Sequence, residues 1–352
     1  LKKLGLSTPR TDEELYKVAY AFTFNDPDGN GKKDTYGFSG GGGGQSFSML
    51  ENLSCMYGSP YMSVKGNTID HPMLNGVRKS FLTYLNRIIK AGLVDPNWYT
   101  QKWQEGKSMW LMNKIGIVWY PPELLFETLQ ANNYDEKVLE WWEPIPPLRG
   151  NKGKTGGRYP MTGNVPTGMI AISSKAAKDE VKVKRICHLI DWWMWPNPGM
   201  LATWRGVGIP PFKEIKKDLP GGQVYVYMPP DDIRNTQTKY SSLWDWGVIG
   251  ARYADWAAGS TPEPDKCGLL QLKYDTLMRK YPTYENIELL MQFDPAVVRR
   301  VSTFSGKNEI LFALGNRNLT EWDKYVKEWK DAGGEELIKE ATEQAKELGL
   351  IK

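Results

Sequence analysis

An α/β fold is predicted by three observations. Amphipathic helical segments alternate with short apolar runs, Gly and Pro bound those runs, and no internal repeat points to a solenoid or propeller. At 352 residues the chain is long enough for two compact domains and a sizeable core.

The elements follow in order. Thr11 and Glu14 have the spacing of a capping box, and Leu15, Val18, Ala19 and Phe22 share the helical face behind them. That helix is expected to stop at Asn25-Asp26-Pro27. The glycine run 40–44 is too short for an interdomain linker and reads as a mobile loop. Residues 76–91 give the clearest helix, with Val77, Phe81, Leu85, Ile88 and Ile89 on one stripe and Gly92 as its stop. A shorter helix around Trp103 leads through Gly106 into 115–120, expected as a buried strand ended by Pro121-Pro122. A second strand is expected at 142–148, then a solvated, mobile Gly/Lys/Arg loop at 150–164, a strand at 169–172 and a helix from about 178 to 195. Trp322, Tyr325, Val326 and Trp329 line one closing helix, and Leu337, Ile338, Ala341, Ala345 and Leu348 the other, with Gly333-Gly334 breaking them.

Composition excludes several classes. The net charge is only +4 and no run of like charges forms a basic tail, so neither nucleic acid nor an anionic membrane is called for. Cys55, Cys187 and Cys267 are odd in number and far apart, which suggests neither a zinc site nor a disulfide framework. Cys187, among Ile186, Leu189 and Ile190, reads as a buried helix position. No apolar stretch reaches the length of a membrane span. The 15 Trp and 18 Tyr suit sugar stacking or interfaces, although most single rings serve a core.

The most specific chemistry lies at 26–34, Asp-Pro-Asp-Gly-Asn-Gly-Lys-Lys-Asp. Side-chain oxygens fall at loop positions 1, 3, 5 and 9 (Asp26, Asp28, Asn30, Asp34), glycine sits at position 6, and Lys32 at position 7 offers its carbonyl. This is the first three-quarters of an EF-hand calcium loop, and a hard cation suits that oxygen set. Position 12 is Gly37 rather than a bidentate Glu, so water or a later oxygen such as that of Thr35 would complete the shell. A metal-free Asx-turn loop draws on the same residue types. The role expected for Ca2+ is structural.

The segment from Leu4 through Asp34 resembles the middle of the extracellular solute-binding proteins of family 1. It is closest to the large lipoproteins that include alginate-binding proteins, whose DPDGNGKxD-like loop binds calcium. Thr35 departs from the acidic residue usual after the last Asp. The order of 88–96 (IIKAGLVDP), 103–117 (WQEGKSMWLMNKIGI) and 142–154 (WEPIPPLRGNKGK) also resembles the family. So do 168–209, with Pro196-Asn197-Pro198-Gly199 in place of an SPEG-like turn, and 319–334. The resemblance implies a two-lobed, maltose-binding-protein-like fold of type II with ligand held in the cleft. It implies a second lobe from 1–165, part of the first lobe at 166–215, and a return to the second at 216–352. It further implies that an N-terminal portion precedes Leu1, so that the first lobe is incomplete here and binding by this stretch is weakened. The function implied is the substrate-binding component of an ABC importer, extracytoplasmic and lipid-anchored or periplasmic, partnered by membrane permease subunits and catalysing nothing.

Sugars are gripped by aromatic faces and fixed by planar polar side chains. Trp119 and Tyr120, at the end of an apolar run, are the first candidates. Trp204 and Arg205 lie in a glycine-rich turn, and Arg158 and Asn164 flank the 150–164 loop. Trp244, Trp246, Arg252, Tyr253 and Trp256 have the spacing of a packed helix face, and Trp192, Trp193 and Trp195 read as core or lobe surface. Two rivals remain: a calcium-dependent polysaccharide hydrolase or lyase, and a cell-surface carbohydrate-binding module. Glu143, Asp191 and Asp245 have no spacing that fixes an acid–base pair. His71 and His188 read as structural, and no HExxH occurs.

Overall fold

The computed structural model describes residues 1–120, 124–133, 135–151, 153–157, 172–193, 213–219, 222–228, 270, 273–274, 277 and 280–352. By compactness the chain forms two units, Leu1–Pro121 with Glu143–Tyr159 and Met278–Lys352, and Pro122–Trp142 with Pro160–Leu277. The lobe segments expected above concern which lobe each stretch builds, a question this division does not address.

In the first unit, helix α1 (Asp12–Phe24) starts where the Thr11 hydroxyl accepts from the Glu14 amide at 3.1 Å. The Glu14 carboxylate reaches one residue further back than a capping box requires and accepts from the Arg10 amide at 2.6 Å. Leu15, Val18 and Ala19 are buried as expected, and Asn25 ends the helix. Its first turn is tied inward: the Tyr57 hydroxyl donates to the Asp12 carboxylate and the Tyr84 hydroxyl to the Asp12 carbonyl, both at 3.1 Å.

The centre of the unit is a short parallel ladder. The Tyr36 amide donates to the Lys114 carbonyl, and the Gly116 and Ile117 amides donate back to Tyr36 and Gly37. On the other edge the Phe38 amide donates to Leu93 and the Asp95 amide to Phe38. Segment 36–38 therefore lies between 93–95 and 115–117, pairing in parallel through Tyr36–Ile115 and Phe38–Val94. The expected strand 115–120 is thus corrected. Only its first residues pair, because their one neighbour turns at Phe38 to the opposite edge, and 118–120 carry no regular structure. Residues 142–148 are not a strand either: Pro144, Pro146 and Pro147 have no amide to donate, and pairing is confined to a bridge between Arg149 and Thr11.

Helix α2 (Val77–Lys90) buries Phe81, Leu82, Leu85 and Ile88 completely, each side chain contributing about 1.5–3 kcal/mol. It packs on α6 (Pro295–Leu314), which is followed by α7 (Trp322–Trp329) and α8 (Glu335–Glu347). Trp322, Tyr325 and Trp329 are buried as their spacing predicts, and the chain kinks at Gly333. Leu348 is half exposed and lies past the end of α8. Between α2 and α6 sits a charge cluster: Arg78 pairs with Glu51 and Glu309, and the Tyr325 hydroxyl donates to Glu309 at 3.2 Å. The Arg78 guanidinium also covers the Phe47 and Phe81 rings. The hairpin β1 (Ser63–Lys65) and β2 (Thr68–Asp70) completes this side.

The glycine run 40–44, expected as a mobile loop, is docked instead, and of the second expected loop only 150–151 and 153–157 are described. A Cβ at Gly40 would stand 2.6 Å from the Trp98 carbonyl oxygen, so this glycine marks close backbone packing. The Gly43 and Gly44 amides donate to Gln101 and Tyr99. In the 150–164 loop, Gly150 is buried against Tyr57, and Gly157 bridges to Thr283.

In the second unit, α3 having been Trp103–Leu111 of the first, come α4 (Leu124–Ala131), α5 (Glu180–Trp193) and the antiparallel hairpin β3 (Lys213–Leu219) and β4 (Gly222–Met228). Leu125, Leu129, Val138 and Leu139 form its described core. Helix α5 matches the expected 178–195, but Cys187 is exposed. Ile186 and Ile190, four residues apart, are the more enclosed positions, and residue 187 falls off that stripe. The expected strand 169–172 falls almost wholly outside the described residues.

His71 is structural, as its turn setting predicts. Its Nδ1 accepts from the Met73 amide at 3.1 Å and its ring lies 4.8 Å from the Trp329 indole. Burial pushes the imidazole from 6.5 down to about 4, with Asp70 opposing and Arg78 reinforcing the shift. Neutral His71 therefore adds stability that is complete above pH 6.5 and is lost as the pH falls toward about 4, roughly 3 kcal/mol in all. His71→Gln should flatten that part of the decline in unfolding free energy between pH 6.5 and 4, measured by urea titration. Parallel curves for the two proteins would refute the assignment.

Candidate functional site

The ladder has two chemically different ends. At its amino end the loop 26–34 runs straight into Tyr36, and Lys114 enters the neighbouring segment. At its carboxyl end stand the glycine run 40–44 and the pair Trp119-Tyr120.

The loop is closed by its own side chains. Asp26, with φ +48°, accepts from the Asn30 and Gly31 amides, each at 3.0 Å, and Asn30 Oδ1 accepts from the Lys32 amide at 2.7 Å. These bonds, the Gly31 amide foremost, hold the Asp26 carboxyl below the usual range. Asn30 Nδ2 donates to Asp28 at 2.8 Å and to Asp34 at 3.3 Å. The Lys114 ammonium lies 2.6 Å from Asp34 and 3.6 Å from Asp28, and its hydrogen bond lowers the Asp34 pKa. Lys3 donates to the Pro27 carbonyl at 3.0 Å.

Among the described residues no group of three or more His, Cys, Asp or Glu side chains is by itself arranged to hold a metal ion. Two carboxylates do converge, on a lysine ammonium. The donor set is therefore chemically suited to a hard cation, and the lysine stands where one would be neutralised. The Thr35 hydroxyl donates to the Phe22 carbonyl at 2.8 Å, and the residue is buried. Loop position 12 adds no side-chain oxygen. The Gly37 amide donates to the Thr23 hydroxyl at 2.9 Å, and a Cβ there would meet the Ala19 Cβ at 2.6 Å and Cα at 2.8 Å.

At the other end, Tyr120 stacks on Trp103, with centroids 5.5 Å apart and planes 21° apart, and lies 4.8 Å from Trp110. Trp103 and Trp110 meet edge to face at 5.6 Å. Trp110 is buried with its Nε1–H unpaired, whereas Trp119 is 41% exposed. The Lys107 ammonium lies 5.8 Å from the Tyr120 ring centre. Beneath this edge Gln101 Nε2 donates to Ser39, to the Gly40 carbonyl and to the buried Asp95 at 2.6, 2.7 and 3.0 Å, pinning the glycine run.

Of the sequence-predicted residues, the structure gathers Asp28, Asn30 and Asp34 around one point and keeps Asp26 in the turn. It sets Tyr120 in an aromatic cluster, and Trp119 is partly exposed. Arg158, Asn164, Trp204 and Arg205 lie outside the described residues, as do Trp195, Asp245 and the group 244–256. Trp192, on α5, is exposed. Glu143 accepts from the Thr8 hydroxyl at 2.6 Å. Lys114, Trp103 and Trp110 were not marked as site residues, since Lys114 meets carboxylates 80 and 86 residues away and Tyr120 lies 17 and 10 residues beyond the two tryptophans.

No protein-family model matches the chain. It is 24% identical over 357 residues to Lipoprotein LipO of Bacillus subtilis, covering 97% of this chain and 66% of that protein. It is 22% identical over 363 residues to the polygalacturonan/rhamnogalacturonan-binding protein YtcQ of the same organism, covering 99% of this chain and 66% of that protein. The chain thus spans a little less than two thirds of the length of these relatives. Among solved structures, an HMO binding, ABC-transporter associated solute-binding protein from Bifidobacterium longum infantis is 19% identical with a TM-score of 0.66, over 97% of this chain and 71% of that one. An EF-hand mutant of the Streptococcus pneumoniae ABC-transporter substrate-binding protein FusA, in complex with fructo-nystose, is 18% identical with a TM-score of 0.61, over 99% and 70%. The likeness shows the fold: it is the α/β fold of the two-lobed solute-binding proteins, as the sequence resemblance implied.

Gly37→Ala should lower stability by about 1–3 kcal/mol, because α1 and the ladder leave no room for the methyl group. Denaturant unfolding in chelator checks this, and a change within error would show that the contact relaxes freely.

Proposed function

We propose that this chain is the extracytoplasmic substrate-binding component of an ABC importer, that it binds an oligosaccharide, and that it carries out no reaction on it. The observation that carries the reading is the aromatic edge at the carboxyl end of a parallel ladder, where α/β folds hold ligands, in a chain with a solute-binding fold. The names of the relatives agree with it: one is a lipoprotein, one binds pectic polymers, and the solved neighbours bind sugars. Among the described residues no helix is long and apolar enough to cross a membrane. Delivery to membrane permease subunits and attachment by a lipid anchor at the outer face are parts of the proposal.

In this reading Trp119, which is 41% exposed, contacts a sugar ring, and Tyr120 lies beside it in the sequence, held by Trp103 and Trp110. Arg158, Asn164, Trp204 and Arg205 are proposed as further contacts. Loop 26–34 holds a structural Ca2+ through Asp26, Asp28, Asn30, the Lys32 carbonyl and Asp34. For Asn30 this requires a side-chain rotation that presents its oxygen. The cation would cross-link the loop that feeds Tyr36 into the ladder, and bound ligand adds RT ln(1 + [L]/Kd) to folding stability.

Isothermal titration against neutral fructo- and human-milk-type oligosaccharides and against acidic oligogalacturonides should find saturable binding, and chromatography should find no products. Appearance of cleaved sugar would favour the calcium-dependent enzyme instead. Trp119→Ala should weaken binding roughly thirtyfold, the loss expected for an aromatic hot spot, with an unchanged melting temperature. Normal affinity would remove Trp119 from the site. Separately, Asp28→Ala should lower the melting temperature in calcium and leave it nearly unchanged in chelator; equal shifts in both would exclude the metal.

A further inference from the structure

We infer that Lys114 is a built-in counter-cation of loop 26–34, which holds the loop in its folded form and competes with the metal for Asp28 and Asp34. The inference rests on the calcium reading above and adds to it what sets the affinity. Lys114 belongs neither to the loop nor to its oxygen pattern; it enters from the neighbouring segment of the ladder, 80 residues beyond Asp34. Its ammonium contacts Asp34 at 2.6 Å and lies 3.6 Å from Asp28.

Backbone geometry explains why it is held there. The Lys114 carbonyl accepts from the Tyr36 amide at 2.9 Å, so the residue's main chain is fixed two positions beyond the last loop aspartate. Its side chain then has only the width of the loop to span. The other cations facing the loop are placed differently: Lys3 sits on the Pro27 carbonyl, Lys32 acts on Asp34 through space, and Lys33 is exposed with no contact to these carboxylates.

With Lys114 in place, Asp28 and Asp34 can lie side by side around Asn30 without mutual repulsion. A divalent ion entering between them meets a positive charge already seated, and either the lysine leaves or the ion binds more weakly. Removing the lysine charge should therefore do two opposite things: destabilise the cation-free loop and tighten the grip on calcium.

The test is calorimetric titration of Ca2+ into chelator-stripped protein, with melting temperatures in chelator, for wild type, Lys114→Met, Lys114→Arg and Lys33→Met. Lys114→Met should bind calcium about two- to fivefold more tightly, the range of an exposed ion pair, and melt lower in chelator. Lys114→Arg should resemble wild type on both counts, and Lys33→Met should change affinity less than Lys114→Met. Unchanged or weaker calcium binding by Lys114→Met overturns the inference and leaves the calcium site standing. Equal tightening by Lys33→Met also overturns it, since net loop charge would then suffice. Absence of calcium binding in all four proteins overturns the metal reading and this inference together.

Discussion

The contact on which the first unit depends is the approach of Gly37 to Ala19. Segment 36–38 lies directly on helix α1, with the Thr23 hydroxyl donating to the Ala19 carbonyl and accepting from the Gly37 amide. No side chain fits between them. This closeness lets three residues of chain exchange hydrogen bonds with 93–95 on one edge and 115–117 on the other while backing onto a helix. It also forces the loop 26–34, which joins α1 to the ladder, to turn back within about nine residues. Asp, Asn, Gly and Pro are what such a reversal selects, so the loop's composition has a structural cause before any metal is considered.

The same contact explains the departure at loop position 12. In a free EF-hand the chain after position 9 leads into a second helix, and its twelfth residue can aim a carboxylate at the ion. Here that residue lies inside the ladder, already packed against α1. Position 12 therefore supplies no carboxylate, and Lys114 on the next segment contacts Asp34 and lies near Asp28. An oxygen pattern read along one strand of sequence shows the donors within the loop; it does not show a cation supplied from across a parallel pairing.

Legibility in the sequence followed contact range. Helices α1, α2, α5, α7 and α8 were readable because their stripes, caps and stops lie within one segment, and Phe81, Leu85, Tyr325 and Trp329 are buried where periodicity put them. Helix α6 went unmarked: Asp294 and Pro295 open it, yet its buried positions are sparse, and Glu309 is buried only because Arg78 and Tyr325 meet it. The strands 115–120 and 142–148 were misread for different reasons. In the first an apolar run was longer than its pairing partner, and in the second a run of prolines had no amides to pair. The glycine run 40–44 was read as freedom where Gly40 marks close packing, a distinction that depends on Trp98, far away in sequence. Half of the candidate sugar site was visible as Trp119-Tyr120; its support by Trp103 and Trp110 was not.

The two candidate sites share one scaffold, and that limits what a cation can do for a sugar. Loop 26–34 and Lys114 hold the amino ends of segments 36–38 and 115–117, while the glycine run and Trp119-Tyr120 extend their carboxyl ends. A ligand at one end changes affinity at the other only if the scaffold has two arrangements that the ligand tells apart. A ladder pinned by Gly37 on α1, by Gln101 on Gly40 and by Tyr120 on Trp103 is held in one packing at each of these points. On this reading the cation acts through order. It raises the fraction of molecules in which the ladder's amino end is closed, and the aromatic edge gains a fixed base rather than a switch. Sugar affinity should then follow calcium only where the loop would otherwise open, which is the condition that Lys114 works against.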